Sequence, residues 1–259
     1  MLESIARIWR VRKRFAGLAL LALGMLGPGS AVAQGQDAAK QVLLESDRVR
    51  FPQESFEMDA SIDSFSDGQP TESRKYRILS KGNENTVVMV TEPASERGQI
   101  MLMKGRDLWI FLPDVSQPVR LSLAQRLTGQ VANGDLARAN FSGDYDAKLL
   151  RTEQIEGESY SVLELTAVDR GVTYQKVLYW VKQSNAYPFK AEFYSASNRL
   201  LKTCRYENFQ TIAGRVRPTR IVMTDGLRKG DESILAYNAM RLRDLPDKVF
   251  NKDYLKRLQ

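Results

Sequence analysis

Most of the chain after residue 50 alternates between apolar and polar positions with a period of two. Phe56 to Ile62, for example, places acids and a serine between its apolar residues. This alternation is typical of a strand with one buried face and one solvated face. Turn residues such as Ser66–Pro70 and the pair Gly105-Arg106 separate the strands and favour hairpins.

The pattern predicts about a dozen strands, nearly all connected by hairpins and therefore antiparallel. After the first, they are expected at 74–79, 86–91, 99–104, 107–112, 119–121, 147–154, 159–168, 173–181, 188–196, 200–209, 216–224 and 233–243. Helical turns are expected at 36–50, 121–127, 136–141 and 246–258. A single antiparallel sheet of this length has to curl, so we expect a barrel or a strongly bent half-barrel.

The first 33 residues are typical of a cleaved secretory signal peptide. Arg7 to Arg14 provide the positive start, Phe15 to Leu26 the apolar stretch, and Ala31-Val32-Ala33 the cleavage site. The apolar stretch is short for a membrane span, and a retained anchor is the alternative. We therefore expect one domain over 34–259, exported to the periplasm and soluble after cleavage.

The charge balance argues against a nucleic-acid partner. The formal net charge is +7, but the leader alone contributes five basic residues against one acid. The remaining domain is close to balanced, and a basic stripe on it is not expected.

The candidate chemistry excludes several classes of enzyme. The chain has no histidine, so histidine-dependent nucleophiles and histidine–zinc sites are excluded. The single cysteine, Cys204, is expected to be a buried thiol with a structural role. Acids near turns are expected to be solvated: Asp107, Asp114, Asp135, Asp144 and Asp146. No acid pair can be placed for hydrolysis of envelope polymers, so we predict no catalytic residue, no metal and no cofactor.

The hairpin over 99–112 is apolar on both faces, which requires a cover on each side. Flexible methionines suit adaptable apolar cavities, although ordinary core packing is the alternative. We predict a lipid-binding cavity lined by Met89, Met101, Met103, Trp109, Phe111, Phe189 and Phe193. The two aromatic residues of strand 107–112 are expected to share one face with Met101 and Met103. The segment 121–141 is the predicted lid, with Leu123, Leu127 and Phe141 facing the cavity, and Gly129 and Gly134 allowing it to move.

Several runs between residues 92 and 146 resemble the LolA-like family of bacterial outer-membrane lipoprotein-sorting proteins. They are Glu92-Pro93, Arg97-Gly98-Gln99 with Leu102, Leu108–Pro113, and Arg120–Tyr145 with Gly129, Asn133–Leu136 and Phe141. The resemblance implies a mainly β (α+β) fold, in which a strongly curved antiparallel sheet forms an unclosed half-barrel and helices cover its concave face. It also implies a periplasmic carrier that holds lipidated cargo in an apolar cavity.

We therefore expect a monomeric, non-enzymatic carrier that shelters acyl chains of lipoproteins or lipids for transfer toward the outer membrane. An inner-membrane transporter would be its donor and an outer-membrane protein its acceptor. An envelope-stress sensor or a protein-binding regulator on the same fold is the alternative, and an open edge strand would serve it.

Overall fold

A computed structural model describes residues 29–138 and 140–255, with side chains from residue 35 onward. The predicted signal peptide therefore lies outside the described residues, apart from the backbone of 29–33. The end of the predicted terminal helical turns, 256–258, also lies outside them.

Fifteen strands and four α-helices make up the described chain. The first half contains α1 (Gly29–Arg50), β1 (Phe56–Ser66), β2 (Gln69–Lys81), β3 (Asn85–Glu92), β4 (Ile100–Lys104), β5 (Asp107–Phe111), β6 (Val119–Leu121), β7 (Arg126–Thr128), β8 (Val131–Ala132), α2 (Asn133–Ala137) and α3 (Phe141–Asp144). The second half contains β9 (Tyr145–Ile155), β10 (Glu158–Ala167), β11 (Lys176–Lys182), β12 (Pro188–Tyr194), β13 (Leu200–Ile212), β14 (Arg215–Asp225), β15 (Asp231–Leu242) and α4 (Lys252–Leu255). Short 3-10 turns occur at Ala94–Glu96 and Asp247–Phe250.

Thirteen of the strands form one antiparallel sheet in the order β6-β5-β4-β3-β2-β1-β15-β14-β13-β12-β11-β10-β9. The sheet is not closed into a barrel, and β6 and β9 are its two edges. In a flat sheet these edges would lie roughly 55 Å apart. Instead, Arg106 Nε in the β4–β5 turn lies 3.0 Å from Asp144 Oδ1, directly before β9. The sheet therefore bends strongly, and the predicted unclosed half-barrel is confirmed.

Helix α1 packs on the inner face of the bent sheet, which is the face that also receives α2 and α3. Leu43 is fully buried there, and Ser46 Oγ lies 2.8 Å from the hydroxyl of Tyr179 on β11. At the end of the helix, the buried Arg217 donates to the carbonyl oxygens of Arg48 and Val49. These bonds satisfy terminal carbonyls that have no partner within the helix.

The outer face of β2–β5 is covered by the end of the chain. A second apolar cluster joins Leu79, Val87, Ile100, Leu102 and Phe111 on the strands to Leu245, Val249, Phe250 and Leu255. We call residues 245–255 the outer cover. Its presence explains why the outer positions of these strands are apolar.

The prediction of helical turns over 121–127 was wrong. The segment leaves β6 and enters a small hairpin of β7 and β8, in which Arg126 pairs with Ala132 and Thr128 with Val131. A run of seven residues with three apolar positions fits either a helix or an irregular hairpin, and local periodicity cannot separate them.

Candidate functional site

The segment between β6 and β9 lies across the inner face of the sheet. We call residues 122–144 the inner cover; Ala139 is the one position in it that is not described. Its buried apolar residues Leu123, Val131 and Leu136 join the main core cluster, and Leu127 and Phe141 pack against that cluster. The predicted lid residues therefore all face the inner core.

One tie between the inner cover and the sheet is a buried ion pair. The Lys202 ammonium on β13 donates to Asp135 in α2 and to the carbonyl oxygen of Gln130. Both charged side chains are more than nine-tenths buried. Asp135 also accepts a 2.8 Å hydrogen bond from Tyr174 and one from the N–H of Ala132, which fixes the first turn of α2.

A second buried ion pair lies at the opening of the half-barrel. The Arg138 guanidinium binds both carboxylate oxygens of Asp144 and donates to the carbonyl oxygen of Gly105. Arg106 donates to Asp144 and, at 2.9 Å, to the carbonyl oxygen of Gly143. Two arginines thus hold the inner cover against the β4–β5 turn. Bidentate guanidinium–carboxylate pairs fix geometry as well as charge.

A third buried pair connects α1 to the inner cover. Arg50 Nη1 lies 3.0 Å from Asp47 Oδ1, and its guanidinium carbon lies 3.9 Å from the ring centre of Phe141. Asp47 also accepts a 2.6 Å bond from the N–H of Ser142. Burial raises the pKa of Asp47, and the charge of Arg50 and the bond from Ser142 oppose that increase.

Very little empty space remains beneath the middle of the inner cover. The enclosed cavity has a volume of about 20 Å³, and aromatic side chains line it beside Arg50, Asp135 and the Arg138–Asp144 pair. That volume holds about one water. An acyl chain can occupy the inner core only if the cover moves away.

The predicted cavity residues do not share one surface. Met101, Met103 and Phe193 lie in the inner core. Met89, Trp109 and Phe111 lie on the outer face beneath the outer cover, and Phe189 belongs to a third, outer cluster with Tyr160 and Trp180.

The prediction that Trp109 and Phe111 share a face with Met101 and Met103 was therefore wrong. Strand pairing gives the physical reason. Leu102 lies opposite Trp109, and Met103 lies opposite Leu108. Directly opposed residues in an antiparallel pair point to the same face.

The two glycines of the inner cover have close neighbours. A Cβ on Gly129, which has a φ of +49°, would lie 2.0 Å from Ser64 Oγ, and a Cβ on Gly134 would lie 2.0 Å from Thr173 Oγ1. These glycines let the cover approach the sheet closely. Their role as hinges stays a prediction.

The prediction that the turn acids are solvated was wrong for two of them. Asp135 and Asp144 are buried and paired, whereas solvated positions were expected. The partner of Asp135, Lys202, is 67 positions away in the chain. Arg138 is only six positions from Asp144, but the two residues match no sequence motif, so local patterns connected neither pair. One clue existed. Lys202 is two and four residues from Cys204 and Tyr206 on the same strand, so all three side chains point to the inner face.

The single cysteine is buried, as predicted. Burial raises the pKa of the Cys204 thiol to about 11. Among the described residues, no three His, Cys, Asp or Glu side chains lie close enough together to hold a metal ion. No helix in 29–138 or 140–255 has the length and hydropathy needed to cross a membrane.

Comparisons with known proteins relate the whole described fold to one superfamily. A family model described as "uncharacterized protein" matches residues 82–257. A LolA superfamily protein from Nitrosomonas europaea is 63% identical, with 83% of this chain and 98% of that chain covered and a TM-score of 0.80. No curated protein matches the chain.

Two further crystal structures share the fold at 21% identity. One is a DUF1329 family protein from Desulfovibrio piger, covering 85% of this chain and 99% of its own, with a TM-score of 0.74. The other is a domain from Vibrio parahaemolyticus proposed to sort outer-membrane lipoproteins. It covers 86% of this chain and 100% of its own, with a TM-score of 0.72. Sequence identity over most of both chains in the Nitrosomonas comparison decides the family: this chain belongs to the LolA superfamily.

Proposed function

We propose that this protein is a non-enzymatic periplasmic carrier that shelters acyl chains of lipids or lipoproteins beneath the inner cover. The observation that carries the proposal is an apolar inner face closed by a segment that is not part of the sheet. The thirteen strands are joined by continuous backbone ladders, whereas the cover is tied to them by side-chain contacts and apolar packing.

Polar ties suit a cover that has to open. The net stabilisation from a buried ion pair is small, because both charges recover their hydration when they separate into water. The apolar residues of the cover, such as Leu123 and Leu136, would lose their burial. Acyl chains that take their place bury new surface, at about 0.8 kcal/mol for each methylene.

The predicted signal peptide and the relatives support the rest of the proposal. The leader pattern supports export to the periplasm. The Vibrio domain, which shares the fold, is proposed to sort outer-membrane lipoproteins. We extend that role to this chain, with an inner-membrane transporter as donor and an outer-membrane protein as acceptor.

Solvent extraction and vesicle transfer test the proposal. Mass spectrometry of the extract should show about one equivalent of lipid for each protein purified from the periplasm. The protein should also speed the movement of a fluorescent lipid from donor vesicles to acceptor vesicles. Purified protein with no bound lipid and no effect on transfer would contradict a carrier.

A protein-binding regulator is the second candidate, and the edge strand β9 favours it. Leu149 and Leu150 on this strand are 46% and 39% exposed. An exposed edge with apolar side chains can accept an extended peptide as an additional strand. Recovery of a tight, stoichiometric protein partner without lipid would support this function over the carrier.

A further inference from the structure

An open pocket lies where the inner cover meets the ends of β13 and β14. It has a volume of about 230 Å³, against about 20 Å³ for the enclosed cavity. Its walls come from both sides of the junction: Arg126, Gln130 and Val131 from the cover, and Arg199, Lys202 and Asp225 from the sheet.

The pocket lining contains three basic residues and one acid, and one of the three, Lys202, is already paired with Asp135. Arg126 and Arg199 are exposed at its sides, and the buried Lys202 forms part of its floor. Asp225 is the one acid in the lining, and its carboxylate is already engaged by the backbone N–H groups of Leu227 and Arg228. Burial alone would raise the pKa of Asp225, but these two bonds and the charge of Arg126 lower it overall.

The pocket also adjoins the apolar interior. Tyr174 lines both this pocket and the enclosed cavity beneath the cover. Lys202 donates to Gln130 and Asp135 of the cover, so the pocket floor is one of the ties that hold the cover down. Leu227 is 66% exposed at the rim and provides an apolar surface beside the charges.

We propose that this pocket receives the anionic head group, a phosphate or a carboxylate, of a lipid whose chain enters beneath the inner cover. The proposal rests on the carrier function above and gives it a substrate class, an acidic lipid. Arg126 and Arg199 bind the head group from the sides, and Lys202 attracts it from below. A head group that competes with Asp135 for Lys202 also loosens the cover at the point where the chain has to enter.

Three single-chain probes test the assignment with the mature protein: hexadecyl phosphate, heptadecanoate and hexadecanol. The chains are equal in length, so differences in affinity report the head group. Wild-type protein should bind at least one of the anionic probes about tenfold more tightly than hexadecanol, as expected for two or three partly screened charge pairs. The tighter of the two anions identifies whether phosphate or carboxylate is the natural group.

The double variant Arg126→Gln/Arg199→Gln should lose this preference and keep the affinity for hexadecanol. Both side chains are exposed, so the fold should not depend on them. Lys148→Gln/Arg215→Gln removes the same charge from exposed positions outside the pocket and should keep the preference.

Two results would overturn the head-group site while leaving the carrier intact: equal binding of all three probes by wild-type protein, or a preference unchanged in the Arg126/Arg199 variant. Failure of every probe to bind would instead overturn the carrier function and the head-group site together.

Discussion

The strands β3–β5 carry two apolar faces under two covers, and the covers are held in different ways. The inner cover packs through buried residues such as Leu123 and Leu136, and buried charged groups also tie it to the sheet. Asp135 pairs with Lys202, while Arg138 donates to Gly105 and Asp144 accepts from Arg106. The outer cover packs through Val249, Phe250 and Leu255, and its one ion pair with the sheet, Lys81–Asp247, is exposed at the acid. Both covers are held by apolar packing, and the inner cover adds buried ion pairs, which fix a defined geometry with little net stabilisation.

If the protein is the carrier proposed above, this difference favours the inner face as the one that exchanges its cover for cargo. When the inner cover lifts, its charges regain water and part of the cost of opening is recovered. When the outer cover lifts, its side chains gain nothing from water. We therefore treat the inner cover as the movable element and the outer cover as a fixed part of the core.

The largest expected effect comes from breaking the arginine tie. Arg138→Met should lower the free energy of unfolding by about 3–5 kcal/mol, because it leaves the Asp144 carboxylate buried beside Arg106 alone. Urea denaturation measures the loss. Adding Asp144→Asn to this variant should recover part of it, and an Arg138→Met protein as stable as wild type would contradict the tie.

A pair of leucine truncations separates the two covers. Leu136→Ala in the inner cover and Leu255→Ala in the outer cover each remove a buried side chain, so each should cost about 2–4 kcal/mol. Only Leu136→Ala should retain lipid more tightly, because it weakens the empty, closed state. Lipid content measured by extraction checks this. An equal change of lipid content in both variants would remove the distinction between the covers.

The inner face should make the protein sensitive to alkali. Burial raises the pKa of six tyrosines on this face: Tyr76, Tyr145, Tyr174, Tyr179, Tyr206 and Tyr237. It also raises that of Cys204 from 9.0 to about 11. Their stability contribution is complete below the unfolded-state pKa values. It is lost as pH rises above about 9, because the unfolded chain ionises first.

Tyr237→Phe should make the alkaline loss less steep. At pH 11 the unfolded phenol, with a pKa of 10.0, is mostly ionised. Removing one such group should restore about 1.4 kcal/mol of the loss. The free energy of unfolding at pH 8 and pH 11 gives the difference. The value at pH 8, where the unfolded phenol is still protonated, is the internal control and should differ little from wild type in its pH-dependent part.

The smallest expected effect concerns the outer cover. The Lys252 ammonium lies 3.7 Å from the ring centre of Trp109. Lys252→Met should cost about 0.5–1 kcal/mol of unfolding free energy, the usual contribution of an exposed cation–π contact. Lipid content should not change in this variant, and a loss of bound lipid would give the outer cover a part in binding.

The sheet could be predicted from the sequence because half-buried antiparallel strands carry their own signature. Strand β1, for example, alternates between buried and half-buried positions from residue 58 to residue 65. The face of the sheet on which Trp109 lies could also have been derived from the sequence. A two-residue turn at Gly105-Arg106 pairs Lys104 with Asp107, and counting outward places Leu102 opposite Trp109.

The site was harder to predict because its contacts are distant in sequence. Lys202 and Asp135 are 67 positions apart. The irregular turn at Gly129 is shaped by its close approach to Ser64 and Ser233 on the sheet. Neither relationship leaves a local pattern, so the inner cover could be located from the sequence but its ties could not.

Hydrogen–deuterium exchange with and without bound palmitate tests the central claim most directly. The reporters in the inner cover are the N–H groups of Asn133, Gly134 and Arg138, which donate to Gln125, Leu123 and Gly134. Those in the outer cover are Val249 and Leu255. If the inner cover is the element that opens, we expect faster exchange at the inner reporters when lipid is bound, and unchanged exchange at the outer ones. Faster exchange confined to the outer cover, with an unchanged inner cover, would contradict it.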